Sequence, residues 1–284
     1  MITVFGATGN TGSSLVDTLL AKGLDVRAVT SNPSKLGPLK AKGCEAVTAN
    51  FTDPTTLQSA CAGANSIYLV TPAHRDMRQW KSNAIKAAQS AGVRHVVMGT
   101  GLGASPEARL TLGQWHSENQ EELKQTGMDW TFVQPTYFMQ NLLWQAGTIA
   151  KDGVYHDDLG GPVAWIDARD IADVAAEALT GSGYEGKALG LTGPEALTGE
   201  DIAAVLSEAT GRSVTCAPLS ADDSKAAMMA GGMHEEIAAA MIELASLAPK
   251  GYLAGIETTV SDVLGRPARR LRDFVAENRD AFVQ

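Results

Sequence analysis

Three glycines, Gly6, Gly9 and Gly12, stand at three-residue intervals within "ITVFGATGNTG", Ile2 to Gly12. An apolar, β-branched run precedes them. After them Leu15, Val16, Leu19 and Leu20 share one helical face until Gly23 stops the turn. Glycines between a strand and a helix let a main chain approach a diphosphate closely. Gly6 permits the sharp turn, Gly9 puts no Cβ before the phosphates, and Gly12 lets the helix lie tightly on the strand. The freed N–H groups at the positive helix end then receive the negative charge. Thr8, Asn10 and Thr11 add side-chain donors to the same phosphates. The glycine spacing alone is weak evidence, but the strand before it and the helix after it make it specific for a dinucleotide.

The end of the second strand selects the dinucleotide, because an acid there would bind a free ribose 2′-hydroxyl. "RAVTSNPSK", Arg27 to Lys35, holds no acid, and Thr30, Ser31, Asn32 and Lys35 could surround a 2′-phosphate. NADPH is therefore favoured, with NADH left open. Thr71, Pro72, Thr100, Gly101 and Gly103 fall at the carboxyl ends of predicted strands, where doubly wound sheets bind ligands. His74 follows one such end and reads either as a cleft residue for substrate or as a surface-loop histidine. Gln134, Tyr137, Phe138 and Asn141 follow the sixth strand, where they would face nicotinamide and acceptor. Tyr137, Phe138 and Trp144 also read as core packing, and Met228, Met229 and Met233 read either as an adaptable pocket wall or as core.

A dehydrogenase proton donor often takes the form Tyr-x-x-x-Lys, in which a lysine one helical turn away lowers the tyrosine pKa. Here Tyr68, Tyr137, Tyr155, Tyr184 and Tyr252 are followed four residues on by Pro72, Asn141, Leu159, Ala188 and Ile256. The dyad is absent. His116 and Gln120 take the one-turn spacing where that helix should lie. A histidine ordinarily titrates near neutrality, so His116 could act as the catalytic proton donor, or it could be a structural histidine at a helix start. An acceptor such as a quinone delocalises incoming charge, so catalysis could also rest on holding it against the nicotinamide. Asp167 and Asp170 in "WIDARDIADVA" read as a strand end and helix cap rather than as a carboxylate pair.

The elements that must position these residues alternate. Strand-like runs begin at Ile2, Asp25, Cys44, Ser66, His95 and Asp129, with amphipathic stretches between them, including "TDPTTLQSACAG", "DMRQWKSNAIKAAQSAG" and "LGQWHSENQEELKQTG". That rhythm predicts an α/β fold, a doubly wound parallel sheet of the Rossmann kind over residues 1–150. Residues 151–284 predict a smaller, mainly helical lobe that caps the substrate, with 161–181 returning to the first layer as a short strand and helix. Within it, Thr198 and Asp201 form a capping box, and 222–247 is helical in propensity.

Composition narrows the partners. The chain has 284 residues, a formal net charge of -9 and a pI near 5.1, which opposes binding to nucleic acid and to anionic membranes. The basic "GRPARRLRDF", Gly265 to Phe274, reads as the solvated face of a C-terminal helix. Cys44, Cys61 and Cys216 lack metal or disulfide spacing, so no metal is expected and a cytoplasmic location is. No stretch reads as a membrane span or signal segment. The sequence leaves monomer and homodimer both open.

"FGATGNTG", "VTSNPSKL", "GTGLGAS", "WHSENQEELKQTGMDWTFVQPTYFMQN", "WIDARDIADVAAEAL" and "LTGPEALTGEDIAAVLSEATGR" together resemble the NmrA-like family of atypical short-chain dehydrogenase/reductases. The similarity is greatest to its bacterial triphenylmethane reductases and NADPH:quinone oxidoreductases, and it spans essentially the whole chain. The resemblance implies a Rossmann layer, a small capping lobe, a cleft between them and hydride transfer from NADPH to a flat conjugated acceptor. It also implies a histidine at position 116. Ser31 stands where the family often has Arg, Asn50 where it often has Asp, and Gln134 where it commonly has Arg. Some relatives bind the nucleotide without turnover, so a non-catalytic NADP(H)-sensing regulator is the alternative.

Overall fold

The structure, a computed structural model, describes residues 1–283. Every strand read from the sequence in the first half forms. In chain order the elements are β1 (Ile2–Val4), α1 (Asn10–Ala21), β2 (Val26–Thr30), α2 (Leu36–Ala41), β3 (Glu45–Thr48), α3 (Pro54–Cys61) and β4 (Ser66–Leu69). They continue with α4 (Met77–Ser90), β5 (His95–Gly99), α5 (Thr111–Lys124) and β6 (Asp129–Pro135). Then come α6 (Ala146–Asp152), β7 (Val154–Asp157), α7 (Ala168–Thr180), β8 (Lys187–Leu191), α8 (Gly199–Thr210) and β9 (Thr215–Pro218). The helices α9 (Ala221–Ala230), α10 (Glu235–Ala245), α11 (Thr259–Leu264) and α12 (Leu271–Glu277) complete the chain.

Contacts divide the chain into two compact units that do not follow chain order. The first comprises Met1–Arg109, Gly113–Gln134 and Ile171–Gly190. Its strands belong to a seven-stranded sheet ordered β3-β2-β1-β4-β5-β6-β8, and the five pairings from β3 to β6 are parallel. Parallel strands need helical crossovers on both faces, so their residues are buried on both sides, and all five of β5 are. One core cluster joins Phe5, Val29, Leu57, Ile67, Ile85, Val96 and Phe132 between sheet and helices. Asp53 caps α3 by accepting from Thr55 N–H, and Pro54 occupies its first turn. Strand order reverses between β1 and β4, which makes the carboxyl ends of those two strands the switch point of a doubly wound sheet.

The second unit comprises Leu110–Leu112, Pro135–Asp170 and Leu191–Gln284. It is mainly helical, with one parallel pair, β7-β9, that no sequence signal announced. Its core joins Tyr137, Trp165, Leu206, Leu271 and Phe274. The Thr198–Asp201 capping box of α8 forms as expected. The strand expected before α7 does not: Val163 and Ile166 make isolated bridges to Leu197 and Phe138 only. Met228 and Met233 are half-buried and Met229 is exposed, so the methionine group does not form core. The aromatic stripe divides, with Tyr137 in the core and Trp144 71% exposed.

The basic segment corrects its sequence reading. Only part of it is helical, and two of its arginines face an acid rather than water. Asp170 is fully buried, accepts from Arg269 N–H at 2.7 Å and pairs with the Arg266 and Arg269 guanidinium groups. Asp167, also fully buried, caps α7 through Arg169 N–H and pairs with the Arg169 guanidinium, which reaches on to Glu277. Those bonds hold the Asp167 carboxyl below its ordinary pKa despite its burial. Removing one partner from a buried ion pair strands the other. Asp170→Ala should therefore cost about 3 kcal/mol in urea unfolding. Arg270→Ala, which breaks the exposed pair with Glu195, should cost less than about 1 kcal/mol.

Candidate active site

The glycine turn divides its labour. Gly6 has φ +70, the left-handed region, and a Cβ there would meet Val70 Cγ1 at 2.7 Å. A Cβ on Gly12 would overlap the Gly6 carbonyl, which already accepts Gly9 N–H at 3.0 Å. Both are required by the protein's own packing. Gly9 is not: it is extended, and a Cβ there would meet only the Gly6 carbonyl at 3.5 Å, an ordinary contact. Gly9 is exposed at the N-cap of α1, which has neither a side-chain cap nor an acid in its first turn. The N-terminal N–H groups of α1 thus meet an open face that an anion can approach.

The neighbouring side chains fit the same ligand. Thr8 and Asn10 are exposed beside Gly9. Thr11 is buried and its side chain bonds the Tyr68 phenol, so what it can offer a phosphate is its main-chain N–H. At the end of β2, Ser31, Asn32 and Lys35 are exposed. Asn32 Oδ1 accepts from Ser34 N–H at 3.0 Å and caps the short turn Pro33–Lys35, which leaves the Asn32 amide nitrogen for a ligand. Lys35 makes no ion pair among the described residues. Asn50 Oδ1 is taken by Thr52 N–H and hydroxyl. After β4, Pro72 is exposed, while Thr71 Oγ1 is buried with no hydrogen-bond partner among the described residues, an uncommon state for a hydroxyl and one that a bound group would relieve.

The end of β5 brings His116 to the same carboxyl edge. A Cβ on Gly101 would lie 3.4 Å from His116 Cδ2 and 3.6 Å from Nε2, so that ring edge faces Gly101. Thr100 Oγ1 accepts from Gln120 Nε2 at 3.0 Å, and Gln134 Nε2 donates to the Ala104 carbonyl at 3.4 Å. These contacts tie the loop after β5 to α5 and to the end of β6. His74 is placed differently, stacked on Trp80 at 4.3 Å with its Nδ1 accepting Asp76 N–H at the start of α4. In the second unit, Tyr137 packs edge-on against Trp165, and both its hydroxyl and the Trp165 indole N–H are buried without partners among the described residues. Phe138 bridges Ile166, and Asn141 N–H donates to the Phe138 carbonyl.

One candidate functional group belongs to no motif in the sequence. Lys81 is 1% exposed, and its Nζ lies 2.9 Å from the Gly99 carbonyl and 3.2 Å from His116 Nδ1. The available signal was its position among Met77, Ala84, Ile85 and Ala88 on the buried stripe of α4, an unusual place for lysine. Burial lowers its pKa from 10.5 to about 7. Burial, and then the charge of Lys81, also hold His116 well below its ordinary value, so the imidazole is neutral.

A family model described as NAD(P)H-binding matches residues 6–182. The chain belongs to that family. It is 44% identical to the NAD(P)H azoreductase of Xenophilus azovorans over 99% of both chains. It is 36% identical to a (4-alkanoyl-5-oxo-2,5-dihydrofuran-3-yl)methyl phosphate reductase of Streptomyces griseus, also over 99% of both. Among solved structures, the NADPH complex of the NADPH-dependent quinone oxidoreductase from Escherichia coli superposes with a TM-score of 0.87 at 29% identity. That match covers 98% of this chain and 100% of the other. The fold, the family and the NAD(P)H cofactor expected from the sequence all hold.

Lys81 gives a stability prediction of definite sign. Between about pH 7 and pH 10.5 the unfolded amine holds a proton that the folded one lacks. Stability should therefore rise with pH through that window, and the burial cost is full below it. In urea unfolding, the difference between wild type and Lys81→Met should shift in favour of wild type from pH 7 to about pH 10. Parallel curves would show that the amine is not desolvated.

Proposed function

We propose that this protein is an NAD(P)H-dependent reductase that passes hydride to conjugated small-molecule acceptors, with NADPH preferred and quinones or azo compounds as the acceptor class. The observation that carries this reading is His116 Nε2 beside Gly101, at the same sheet edge as the open glycine turn. A turn open to a diphosphate alone would suit a nucleotide sensor. A neutral imidazole at the edge where the reduced ring would lie suits proton delivery to an acceptor. Relatives named as an azoreductase and a quinone oxidoreductase support the acceptor class.

In this reading Gly6, Gly9, Gly12 and the α1 N–H groups hold the pyrophosphate, while Ser31, Asn32 and Lys35 surround the ribose phosphate. Thr71, Pro72, Thr100, Gly101 and Gln134 border the nicotinamide half. The bound cofactor supplies a hydride. His116 donates from Nε2 to the atom of the acceptor that gains negative charge, and its neutrality means that the donor is imidazole rather than imidazolium. His74, Tyr137, Phe138 and Asn141 are assigned to the acceptor. No helix is long and apolar enough to cross a membrane among the described residues. A cytoplasmic setting belongs to the proposal, supported by the three free cysteines.

Loss of nicotinamide absorbance on mixing the protein with NADPH and a panel of naphthoquinones and azo dyes is the direct test; no turnover on any member removes the reductase reading. Gly9→Ala should weaken nucleotide binding on the order of 100-fold by calorimetry, since each tenfold is about 1.4 kcal/mol. Its unfolding free energy should change by less than about 1 kcal/mol. Gly12→Ala should instead destabilise by about 3 kcal/mol, because its methyl has nowhere to go. His116→Ala should lower kcat about 100-fold and leave nucleotide affinity in place; an unchanged rate would restrict the site to positioning.

A further inference from the structure

The one buried amine in the first unit has no carboxylate partner among the described residues. A lysine buried for packing alone is costly, because its charge must be shed or compensated. Lys81 has a carbonyl, Gly99 O, and a neutral imidazole nitrogen, His116 Nδ1, as partners, at 2.9 and 3.2 Å. The two nitrogens of an imidazole point to opposite sides of the ring. The Lys81 ammonium has no lone pair and can only donate, so when charged it fixes the neutral ring with its hydrogen on Nε2, the edge that faces Gly101.

We propose that Lys81 is the positioning residue behind His116: it sets the His116 tautomer and replaces the proton that His116 gives to the reduced acceptor. This rests on the reductase reading. Hydride from the bound reduced nicotinamide leaves the acceptor with an electron pair on oxygen or nitrogen. That pair takes the Nε2 hydrogen, so the Nε2–H bond breaks and an acceptor O–H or N–H bond forms. Nδ1, now basic, takes a proton from the Lys81 ammonium, which becomes a neutral amine. His116 is left neutral with its hydrogen on Nδ1. After the product leaves, water at the open edge protonates Nε2, and the Nδ1 proton returns to Lys81. The buried lysine thus exchanges protons only through the imidazole and needs no channel of its own.

An amine near neutrality is matched to this task, since it holds a proton at working pH and releases it readily. The other titratable groups on the elements packed around the pair do not set its charge. On β4, burial raises the Tyr68 phenol. On α3, burial pushes the Cys61 thiol up to about 12. On the outer sides of α4 and α5, Arg78 pairs with Glu118 at 2.8 Å, and Glu122 accepts from Ser82 at 2.7 Å and lies 3.8 Å from Lys86.

Long-range 1H–15N correlation spectra of the cofactor-free protein report the His116 tautomer directly. Below about pH 7, where Lys81 carries its proton, wild type should show the neutral Nε2–H form, the ring being held well below the ordinary histidine pKa by burial and then by Lys81. Lys81→Met should give mixed tautomers and raise the His116 pKa in part, since burial, the larger cause of its depression, remains. Lys81→Gln, which keeps an N–H donor but has no proton to give, should keep the tautomer. With NADPH and a naphthoquinone, wild-type kcat should fall as pH rises past about 7, where Lys81 loses its proton. Both variants should lose that limb and turn over about 100-fold more slowly, with NADPH affinity unchanged. A His116 spectrum unmoved by Lys81→Met overturns the lysine's role while leaving the reductase reading in place, as does a limb near pH 7 that persists in both variants. No wild-type turnover removes the reductase reading, and the transfer step with it.

Discussion

The strand-to-helix turn after β1 has no room for a side chain at its closest point. The Gly6 carbonyl occupies the volume that a Cβ on Gly12 would need, and Gly6 itself lies against Val70 at the end of β4. This contact fixes the direction of α1 relative to the sheet. It aims an uncapped helix end at the switch point, where the loops after β1 and β4 diverge. Gly9, freed from any internal duty, is left as the open part of the cradle. Everything that makes the edge a binding site depends on that approach of two main chains.

Two buried charges show how one chain can use the same physics for opposite ends. Asp170 is met by two guanidinium groups and a main-chain N–H, so its desolvation is offset by opposite charge and it holds distant parts of the second unit together. Lys81 is met by a carbonyl and an imidazole, which take two of its three hydrogen bonds without neutralising it. Its charge is therefore marginal near neutral pH, as a group that moves protons requires. Full compensation makes a structural pair, whereas partial compensation makes a responsive one.

The same accounting applies to uncharged groups. Nearly all buried polar atoms in folded proteins have partners. Here the Thr71 hydroxyl has none and sits just past the end of β4, beside the glycine turn. The Tyr137 hydroxyl and Trp165 indole N–H are likewise unpartnered in the second unit. Two of these groups, on Thr71 just after β4 and Tyr137 just after β6, belong to residues that the sequence assigns to cofactor and acceptor, whereas the Trp165 N–H and the Asn119 side-chain oxygen on α5 do not.

Local sequence determined a good deal. The glycine spacing, six apolar runs, the Asp53-Pro54 start of α3 and the Thr198–Asp201 box each act through near neighbours, and each forms as its residue types require. The absence of Tyr-x-x-x-Lys was likewise a matter of counting, and it left His116 as the candidate proton donor. Tertiary structure alone decided what lies beside what. Lys81 is 35 residues from His116 and Asp170 is 99 from Arg269, distances in chain over which no periodicity carries information. The β7-β9 pair and the buried face of the arginine segment were hidden for the same reason. Whether a charge meets water, an opposite charge or an imidazole depends on packing between remote segments, and that environment, more than residue type, sets what the group can do.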